Sequence, residues 1–296
     1  MFREDLFIPN NFLALPSEYA DFERARVVIV PVPYDSTTSY QAGARLGPRA
    51  IVEASRHLEL YDEEEGTEPY HVGIHTLPEL EPVLPSPEAM AARVEEVVGE
   101  LLDREKFVVV LGGEHSISIG AVSAFSKRFP ELSVLQIDAH ADLRDSYCGT
   151  RYNHASTMRR ILDRVPAVQV GIRSLSREEA DLIRQRNLPV YFSKDLADTN
   201  EWEEEAISRL GQNVYITIDV DAFDPAIMPA TGTPEPGGLW WPQVIHFLRS
   251  VTLRRKVVGF DVTELAPLAG QTAPDFLVAK LIYRLIGFVL SSSPKQ

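Results

Sequence analysis

The feature that most constrains the fold is a repeated alternation of short apolar runs with segments of helical periodicity. Apolar runs of about four to eight residues, rich in valine and isoleucine and bounded by turn formers, are typical of buried β-strands. The intervening segments carry apolar residues at spacings of three and four, which predicts amphipathic helices. Strands separated by helices pair in parallel, and helices then cover both faces of the sheet. The sequence therefore predicts an α/β fold of three layers, α/β/α, with a mainly parallel central sheet.

The predicted elements follow one another from residue 26 to residue 290. Strands are expected at 26–33, 106–111, 132–138, 167–171, 189–192, 214–219 and 256–261. Helices are expected at 48–57, 88–103, 117–128, 177–186, 201–210, 241–251 and 273–290. The acidic run 62–65 is expected to be a solvated loop. Because no linker rich in proline, glycine or serine interrupts this order, a single domain is expected over residues 1–296.

Acids and histidines collect after four of the predicted strands. They are His115, then Asp138, His140 and Asp142, then Asp219 and Asp221, and finally Glu264. Because ligands bind at the carboxyl ends of the strands in open parallel sheets, these residues are expected to meet at one edge. Asp138 could instead cap a turn while His140 and Asp142 face solvent, but capping does not require four strands to end alike. Buried carboxylates repel one another unless a cation lies among them, so the sequence predicts a metal site.

The number and type of these ligands indicate two metal ions. Two histidines and four aspartates exceed the needs of one tetrahedral ion, and a carboxylate-rich set suits manganese better than structural zinc. Four carboxylates also balance the charge of two divalent cations. Two such ions can share a water and lower its pKa toward neutrality, which predicts metal-assisted hydrolysis. Cys148 is a poorer candidate nucleophile because it lies alone in a loop, and no Gly-x-Ser-x-Gly elbow or phosphate-binding loop is present.

Composition excludes several classes of partner. The 43 acidic residues outnumber the 29 basic ones, and the formal net charge of −14 argues against binding to nucleic acid or an anionic membrane surface. No long uncharged apolar run predicts a membrane span. The first residues carry acids where a secretory signal would be basic and then apolar, so a cytoplasmic protein is expected. The acidic field mildly favours a small cationic substrate.

Five motifs resemble those of the ureohydrolase family of arginases and agmatinases. They are Gly-Gly-Glu-His-Ser at 112–116, Asp-Ala-His-Ala-Asp at 138–142, Asp-Val-Asp-Ala-Phe-Asp-Pro at 219–225, Ala-Thr-Gly-Thr-Pro-Glu-Pro-Gly-Gly-Leu at 230–239 and Asp-Val-Thr-Glu at 261–264. The resemblance implies an arginase-like fold, two manganese ions, hydrolysis of a guanidino group to urea and an amine, and a homo-oligomer of three or six chains. Glu114 departs from the commoner Gly-Gly-Asp of the family and is not expected to bind metal.

The resemblance also implies a role for each matching residue. One ion would be held by His115, Asp138, Asp142 and Asp219, and the other by Asp138, His140, Asp219 and Asp221, so that Asp138 and Asp219 bridge. Asp142 would also accept a hydrogen bond from the bridging hydroxide. Glu264 would hold the guanidinium, whose planar donors pair well with a carboxylate. His154 matches the proton-shuttle histidine, since the leaving amine must gain a proton. From the residues alone, Glu264 could merely cap a turn and His154 a helix start.

Several members of the family remain open as the specific enzyme. Arg144 replaces the asparagine expected of arginases, and the run from Asp142 to Met158 is similar to agmatinases. The leading hypothesis is therefore hydrolysis of agmatine to putrescine and urea, in polyamine biosynthesis. Alternatives are arginase or the hydrolases of guanidinobutyrate, guanidinopropionate, aminopropylagmatine or formiminoglutamate, and a non-catalytic metal-binding member. A carboxylate tail would need a cation such as Arg144 or Arg151, and an amine tail would need an acid such as Asp145.

Overall fold

One parallel sheet of eight strands runs through the part of the chain that the computed structural model describes, residues 6–196 and 201–291. The strands are β1 (Val27–Val32), β2 (Ile74–Thr76), β3 (Phe107–Gly112), β4 (Leu132–Ile137), β5 (Ala167–Ile172), β6 (Val190–Phe192), β7 (Asn213–Asp219) and β8 (Lys256–Thr263). Their order across the sheet is β2-β1-β3-β8-β7-β4-β5-β6, and every neighbouring pair is parallel. The predicted parallel sheet is therefore confirmed.

Helices cover both faces of this sheet. They are α1 (Ser17–Ala20), α2 (Gly47–Ser55), α3 (Pro87–Asp103), α4 (Ser118–Arg128), α5 (Thr157–Leu162), α6 (Arg177–Arg186), α7 (Glu201–Ser208), α8 (Trp241–Arg254) and α9 (Ala273–Ser291). Side chains of β1 alternate between two apolar cores, one shared with α2, α7, α8 and α9 and the other with α3, α4, α5 and α6. This alternation is the period of two in a strand buried on both faces, and it confirms the three-layer prediction.

The sequence missed three short elements. Strand β2 has three residues, and α1 and α5 have four and six, so none of them is long enough to show a clear apolar period. The predicted strand at 132–138 ends one residue early, at Ile137. Within the described residues, no helix is long and apolar enough to cross a membrane.

The acidic run 62–65 is a loop, but it is not simply solvated. Asp62 is buried, and its carboxylate accepts hydrogen bonds from the backbone of Glu64 and Glu65. The guanidinium of Arg284, which is 2% exposed, lies 2.6 Å from Glu63 Oε1 and 3.6 Å from Asp62 Oδ2. The sequence alone predicts a solvated loop here because the buried cation that pairs with the run, Arg284, lies more than two hundred residues away in the chain. The acidic run pairs with this buried cation of α9.

Candidate metal centre and active site

The carboxyl ends of four adjacent strands carry the expected site residues, with the metal ligands at three of them and Glu264 after the fourth, β8. Strands β3, β8, β7 and β4 are neighbours in the sheet. His115 begins a short 3-10 turn, His115–Ile117, that follows β3. Asp219 closes β7, and the segment after β4 carries Asp138 and His140. The expectation that residues distant in sequence meet at one edge of the sheet therefore agrees with the positions of these strands.

His115 is the centre of the first group of ligand atoms. Its Nδ1 lies 3.0 Å from Asp138 Oδ2, 3.2 Å from Asp142 Oδ2 and 3.5 Å from Asp219 Oδ2. All four side chains are at most 5% exposed. Although three acceptors surround it, Nδ1 makes no hydrogen bond of acceptable geometry. The four ligand atoms point toward one another as donors around a shared cation would.

His140 is the centre of the second group. Its Nδ1 lies 2.8 Å from Asp221 Oδ2 and 3.8 Å from Asp138 Oδ1, so the two oxygens of Asp138 face different histidines. Two backbone amides fix the acids: Ala139 donates to Asp221, and Asp221 donates to Asp219. The two candidate metal-binding groups found among the described residues, His115–Asp138–Asp219 and Asp138–His140–Asp221, share Asp138.

Electrostatics show that this cluster is not stable as a set of ordinary ionised acids. Burial, followed by the charges of Asp221 and Asp142, raises the pKa of Asp138 to about 7. Burial and the same crowding raise the pKa of Asp219 well above its usual value. Burial would lower the pKa of His140, but the adjacent Asp221 carboxylate raises it to about 11. Without another cation the histidines must supply positive charge, so this donor set fits divalent ions.

A buried chain of polar side chains orients His115, and sequence reasoning missed it. His115 Nε2 lies 2.8 Å from the hydroxyl of Thr217, which donates to Asp261 Oδ1 at 2.6 Å. Tyr215 donates to the other oxygen of Asp261 at 2.7 Å. An acceptor at Nε2 favours the tautomer that leaves Nδ1 free to bind a cation. The available signal was a polar residue at every second position of buried β7, Tyr215, Thr217 and Asp219.

Gln136 was missed for a similar reason. Its side-chain amide donates to Asp138 Oδ2 at 2.6 Å from the end of β4, just before the cluster. Gln136 is fully buried in β4, where an apolar residue would be the default. A buried glutamine two positions before an acid on the same face of a strand could have indicated a supporting hydrogen bond.

Two candidate site residues adopt left-handed backbone conformations. Asp142 has φ 52° and Glu264 has φ 67°, values that residues with a Cβ seldom adopt. The carbonyl of Asp142 accepts from the amide of Arg159, and the amide of Glu264 donates to the carbonyl of Gly113. Such conformations persist where surrounding contacts fix them, and they are concentrated at functional sites. The left-handed conformation of Asp142 bends the backbone, so Asp138, His140 and Asp142 do not simply alternate along an extended strand.

Among the described residues, one carboxylate oxygen of Glu264 has a hydrogen-bond partner and the other has none. Its Oε1 accepts a hydrogen bond of 2.7 Å from the backbone amide of His115. Its Oε2 faces Gly232, where an added Cβ would lie 3.9 Å away and also 3.0 Å from the carbonyl of Gln41. The glycine, which belongs to the motif at 230–239, therefore leaves space next to this oxygen. Glu264 does not act as a simple turn cap before Pro267.

His154 lies outside the two metal-binding groups. Its Nε2 is 3.1 Å from the hydroxyl of Ser39, and the ring of Tyr147 contacts it edge-on. Burial lowers the pKa of His154, although the carboxylate of Asp142 acts in the opposite direction. The imidazole is therefore neutral at physiological pH in this environment. A neutral ring can both accept and donate a proton, which is what transfer to a leaving group requires.

The carboxylate of Asp145 already has two arginine partners. Its carboxylate lies 3.0 Å from Arg151 and 2.8 Å from Arg160, and these pairs lower its pKa, with the hydrogen bond from Arg151 the largest cause. Arg151 is thereby occupied as well, and Arg144 lies over the ring of Tyr147. The proposed tail contacts of Arg151 and Asp145 thus satisfy each other.

Glu235 is a carboxylate near the cluster that the sequence did not single out. Its Oε1 lies 3.8 Å from His140 Nε2, and its side chain is 36% exposed. Arg173 donates twice to the backbone carbonyl of Glu235, and prolines stand on both sides of it. No lysine or arginine within the described residues makes an ion pair with the Glu235 carboxylate. A carboxylate at the edge of the site whose one ion-pair partner among the described residues is His140 is complementary to a cation.

Two other residues behave as turn or surface groups. The carboxylate of Asp224 accepts from the amides of Ala226, Gly237 and Gly238, so it stabilises a turn. Cys148 is exposed and belongs to neither candidate metal group. Neither residue therefore contributes a donor to the cluster described above.

Comparison with known proteins places these features in a wider set of enzymes. The model of the arginase family matches residues 25–287. The N(1)-aminopropylagmatine ureohydrolase of Synechocystis sp. is 43% identical over 303 residues, covering 97% of this chain and 99% of that protein. The agmatinase of Pyrococcus horikoshii is 35% identical over 277 residues, covering 90% and 93%. The crystal structure of agmatine ureohydrolase of Thermoplasma volcanium superposes with a TM-score of 0.86 at 33% identity, covering 97% of this chain and 96% of that one.

Proposed function

Because the chain belongs to the arginase family, we propose that it is a ureohydrolase that cleaves the guanidino group of agmatine to give urea and putrescine. The observation that carries this proposal is the arrangement of two donor groups sharing Asp138, with the free oxygen of Glu264 presented at the same edge of the sheet. The setting we propose is the cytoplasm, in polyamine biosynthesis, with the chain acting as a homo-oligomer of three or six copies.

The ligands proposed for two manganese ions are the residues named from the sequence. His115, Asp138, Asp142 and Asp219 would hold one ion, and Asp138, His140, Asp219 and Asp221 the other. The carboxylate oxygens and imidazole nitrogens of this set, without thiolate, suit manganese. When bound, two such ions lower the pKa of water at the site toward neutrality and so supply a nucleophile at physiological pH.

The remaining proposed residues bind the substrate and handle protons. Glu264 would orient the guanidinium through Oε2, since Oε1 is already engaged by the amide of His115. Asp142 would accept a hydrogen bond from the nucleophile and so direct it. His154 would relay a proton to the leaving amine, because its ring is neutral and lies outside the metal groups.

The proposed substrate carries a cation at its tail. Within the described residues Glu235 has no lysine or arginine partner. Of the two cations that could recognise a carboxylate tail, Arg151 already binds Asp145 and Arg144 lies over the ring of Tyr147. This favours an amine tail over the carboxylate of guanidinobutyrate. A second candidate is N(1)-aminopropylagmatine, which has the same guanidino group on a longer polyamine, and the name of the Synechocystis relative favours it.

Release of urea from the purified, manganese-loaded protein tests this proposal. Agmatine, aminopropylagmatine, arginine and guanidinobutyrate are offered in parallel, and manganese per chain is measured in the same sample. Agmatine is expected to have the highest kcat/KM. A preference for aminopropylagmatine would keep the chemistry and change the pathway. No urea from any of them with two ions bound would contradict the ureohydrolase proposal and favour a non-catalytic protein.

Glu235→Gln is expected to raise the KM for agmatine by about two- to fivefold with little change in kcat. The magnitude follows from a partly exposed ion pair, worth up to about 1 kcal/mol. KM for guanidinobutyrate is expected to fall or stay the same, because its tail no longer faces a like charge. Manganese content is the control: if the variant loses metal, Glu235 supports His140 instead of binding the substrate tail.

A further inference from the structure

Glu114 is a buried carboxylate that the proposed chemistry does not use. It is fully buried beside His115, and both of its oxygens face the segment that follows β1. Oε2 accepts a hydrogen bond of 2.6 Å from the amide of Thr37, and Oε1 accepts from the hydroxyls of Thr37 and Ser116. The carboxylate is therefore fully occupied by hydroxyl and amide donors. Its function concerns the segment that contains Thr37.

This segment is attached closely to the turn that leads to the metal centre. The amide of Gly113 donates to the carbonyl of Val32, and the amide of Glu114 donates to the carbonyl of Tyr34 at 2.7 Å. The approach is so close that a Cβ at Gly113 would lie 2.0 Å from the carbonyl oxygen of Tyr34. On the far side, Asp35 accepts from the amides of Gly43 and Arg45. Residues 34–45 thus form a loop that is fixed at both ends.

The same loop also contacts His154 through two side-chain hydroxyls. The hydroxyl of Thr37 lies 3.4 Å from the amide of His154, and the hydroxyl of Ser39 lies 3.1 Å from His154 Nε2. The backbone of Thr37 also favours the protonated ring, acting against burial, which lowers the pKa of His154. These contacts join residues that are more than a hundred positions apart in the chain. The loop therefore fixes where the imidazole lies and which way it faces.

The Thr37 hydroxyl connects the two halves of this arrangement. Its single proton goes to Glu114, so its oxygen lone pairs point toward the amide of His154. An aspartate at position 114 would be shorter by one methylene and would not reach both donors of Thr37. The longer glutamate thus has a specific use in this chain, where the sequence alone showed only a departure from Gly-Gly-Asp.

We propose that Glu114 and Thr37 are positioning residues that hold the imidazole of His154 in place next to the reacting groups, acting through the loop 34–45. This inference rests on the proposed function, in which His154 relays a proton to the leaving amine. Neither residue touches the substrate, so their effect on turnover passes through His154. Misplacement of a proton donor by about 1 Å can lower a rate roughly a hundredfold, and this is the largest loss of kcat expected when the positioning contacts are removed.

The test compares Thr37→Val and Thr37→Ser in the manganese-loaded protein. Valine has the shape of threonine without the hydroxyl, and it is expected to lower kcat by about 10- to 100-fold with the KM for agmatine within twofold. Serine keeps the hydroxyl and is expected to stay within about threefold of the parent kcat. Equal losses in both variants would overturn the proposal, because packing and not the hydroxyl would then matter.

A double-mutant cycle with His154→Ala separates positioning from a general structural effect. If Thr37 acts only through His154, Thr37→Val in the His154→Ala background changes kcat by less than about twofold. Losses that multiply would overturn the proposal. If His154→Ala itself keeps full activity, the proton-relay assignment fails instead, which distinguishes the two failures. Should Thr37→Val bind fewer than two manganese ions, Glu114→Gln takes its place in the cycle, with the same two outcomes.

Discussion

Replacing Asp138 with asparagine is expected to remove both metal ions and to lower kcat by about a thousandfold or more. Asp138 is common to both donor groups, with Oδ2 3.0 Å from His115 Nδ1 and Oδ1 3.8 Å from His140 Nδ1. The amide keeps the size of the side chain but removes one of the four charges that balance two divalent ions. Loss of metal stabilisation of several kcal/mol in the transition state corresponds to this decrease in rate.

Metal content and urea release from one preparation measure this effect. Asp145→Asn is the matched control, because it removes one carboxylate charge near the site from a side chain that faces Arg151 and Arg160. The control is expected to keep two ions. Asp142→Asn is expected to lose one ion only, since Asp142 approaches His115 and not His140. Two ions in Asp138→Asn with normal turnover would contradict the proposed bridging role.

The edge of the sheet where the site lies could be read from the sequence because that information is local. A buried strand shows itself as an apolar run, and the first polar residues after it mark its carboxyl end. The order of the strands in space is not local. Strands β3, β8, β7 and β4 are adjacent, although β8 is the last of the eight in the chain. The prediction that these residues meet therefore rested on the rule that ligands bind at the carboxyl ends of parallel strands, and the strand order was not needed for it.

The supporting residues could not be predicted because their partners lie far away in the chain. Thr217 and Asp261 are directly paired across β7 and β8, and this register depends on the whole sheet. The conformation of Asp142 depends on Glu179, whose carboxylate accepts from the amide of Leu143 and also forms the capping box of α6. The spacing of Asp138, His140 and Asp142 by two is typical of one face of a strand. The strand ends at Ile137, however, and the contacts of Glu179 hold the backbone that follows it in a turn.

The ion pairs of Asp145 could not be predicted from the sequence for a similar reason. Arg160 is buried and needs a carboxylate, and Asp145 supplies it fifteen residues earlier in the chain. Glu235 was overlooked because it stands between two prolines in a segment that looks like a turn. An acid is available for binding only when no cation of the same protein already occupies it. This can be judged only once the fold is known.

Glu264→Gln is expected to lower kcat/KM for agmatine by about two to four orders of magnitude while two manganese ions stay bound. Glutamine is nearly the same size, and the amide of residue 264 still donates to Gly113, so the left-handed turn is kept. In the proposed complex this buried carboxylate would pair with the guanidinium, and removing one partner of such a pair is worth about 3–5 kcal/mol.

Two comparisons make the Glu264 result specific. Glu264→Asp keeps the charge but withdraws it by one methylene, so it is expected to recover part of the activity if charge dominates and none if position dominates. Binding of agmatine to the metal-loaded Glu264→Gln protein, measured by calorimetry, is expected to weaken in parallel with kcat/KM. Glu264 Oε2 faces the space next to Gly232, so the proposed guanidinium contact depends on this carboxylate. Full turnover by Glu264→Gln would therefore move substrate recognition to a different part of the site.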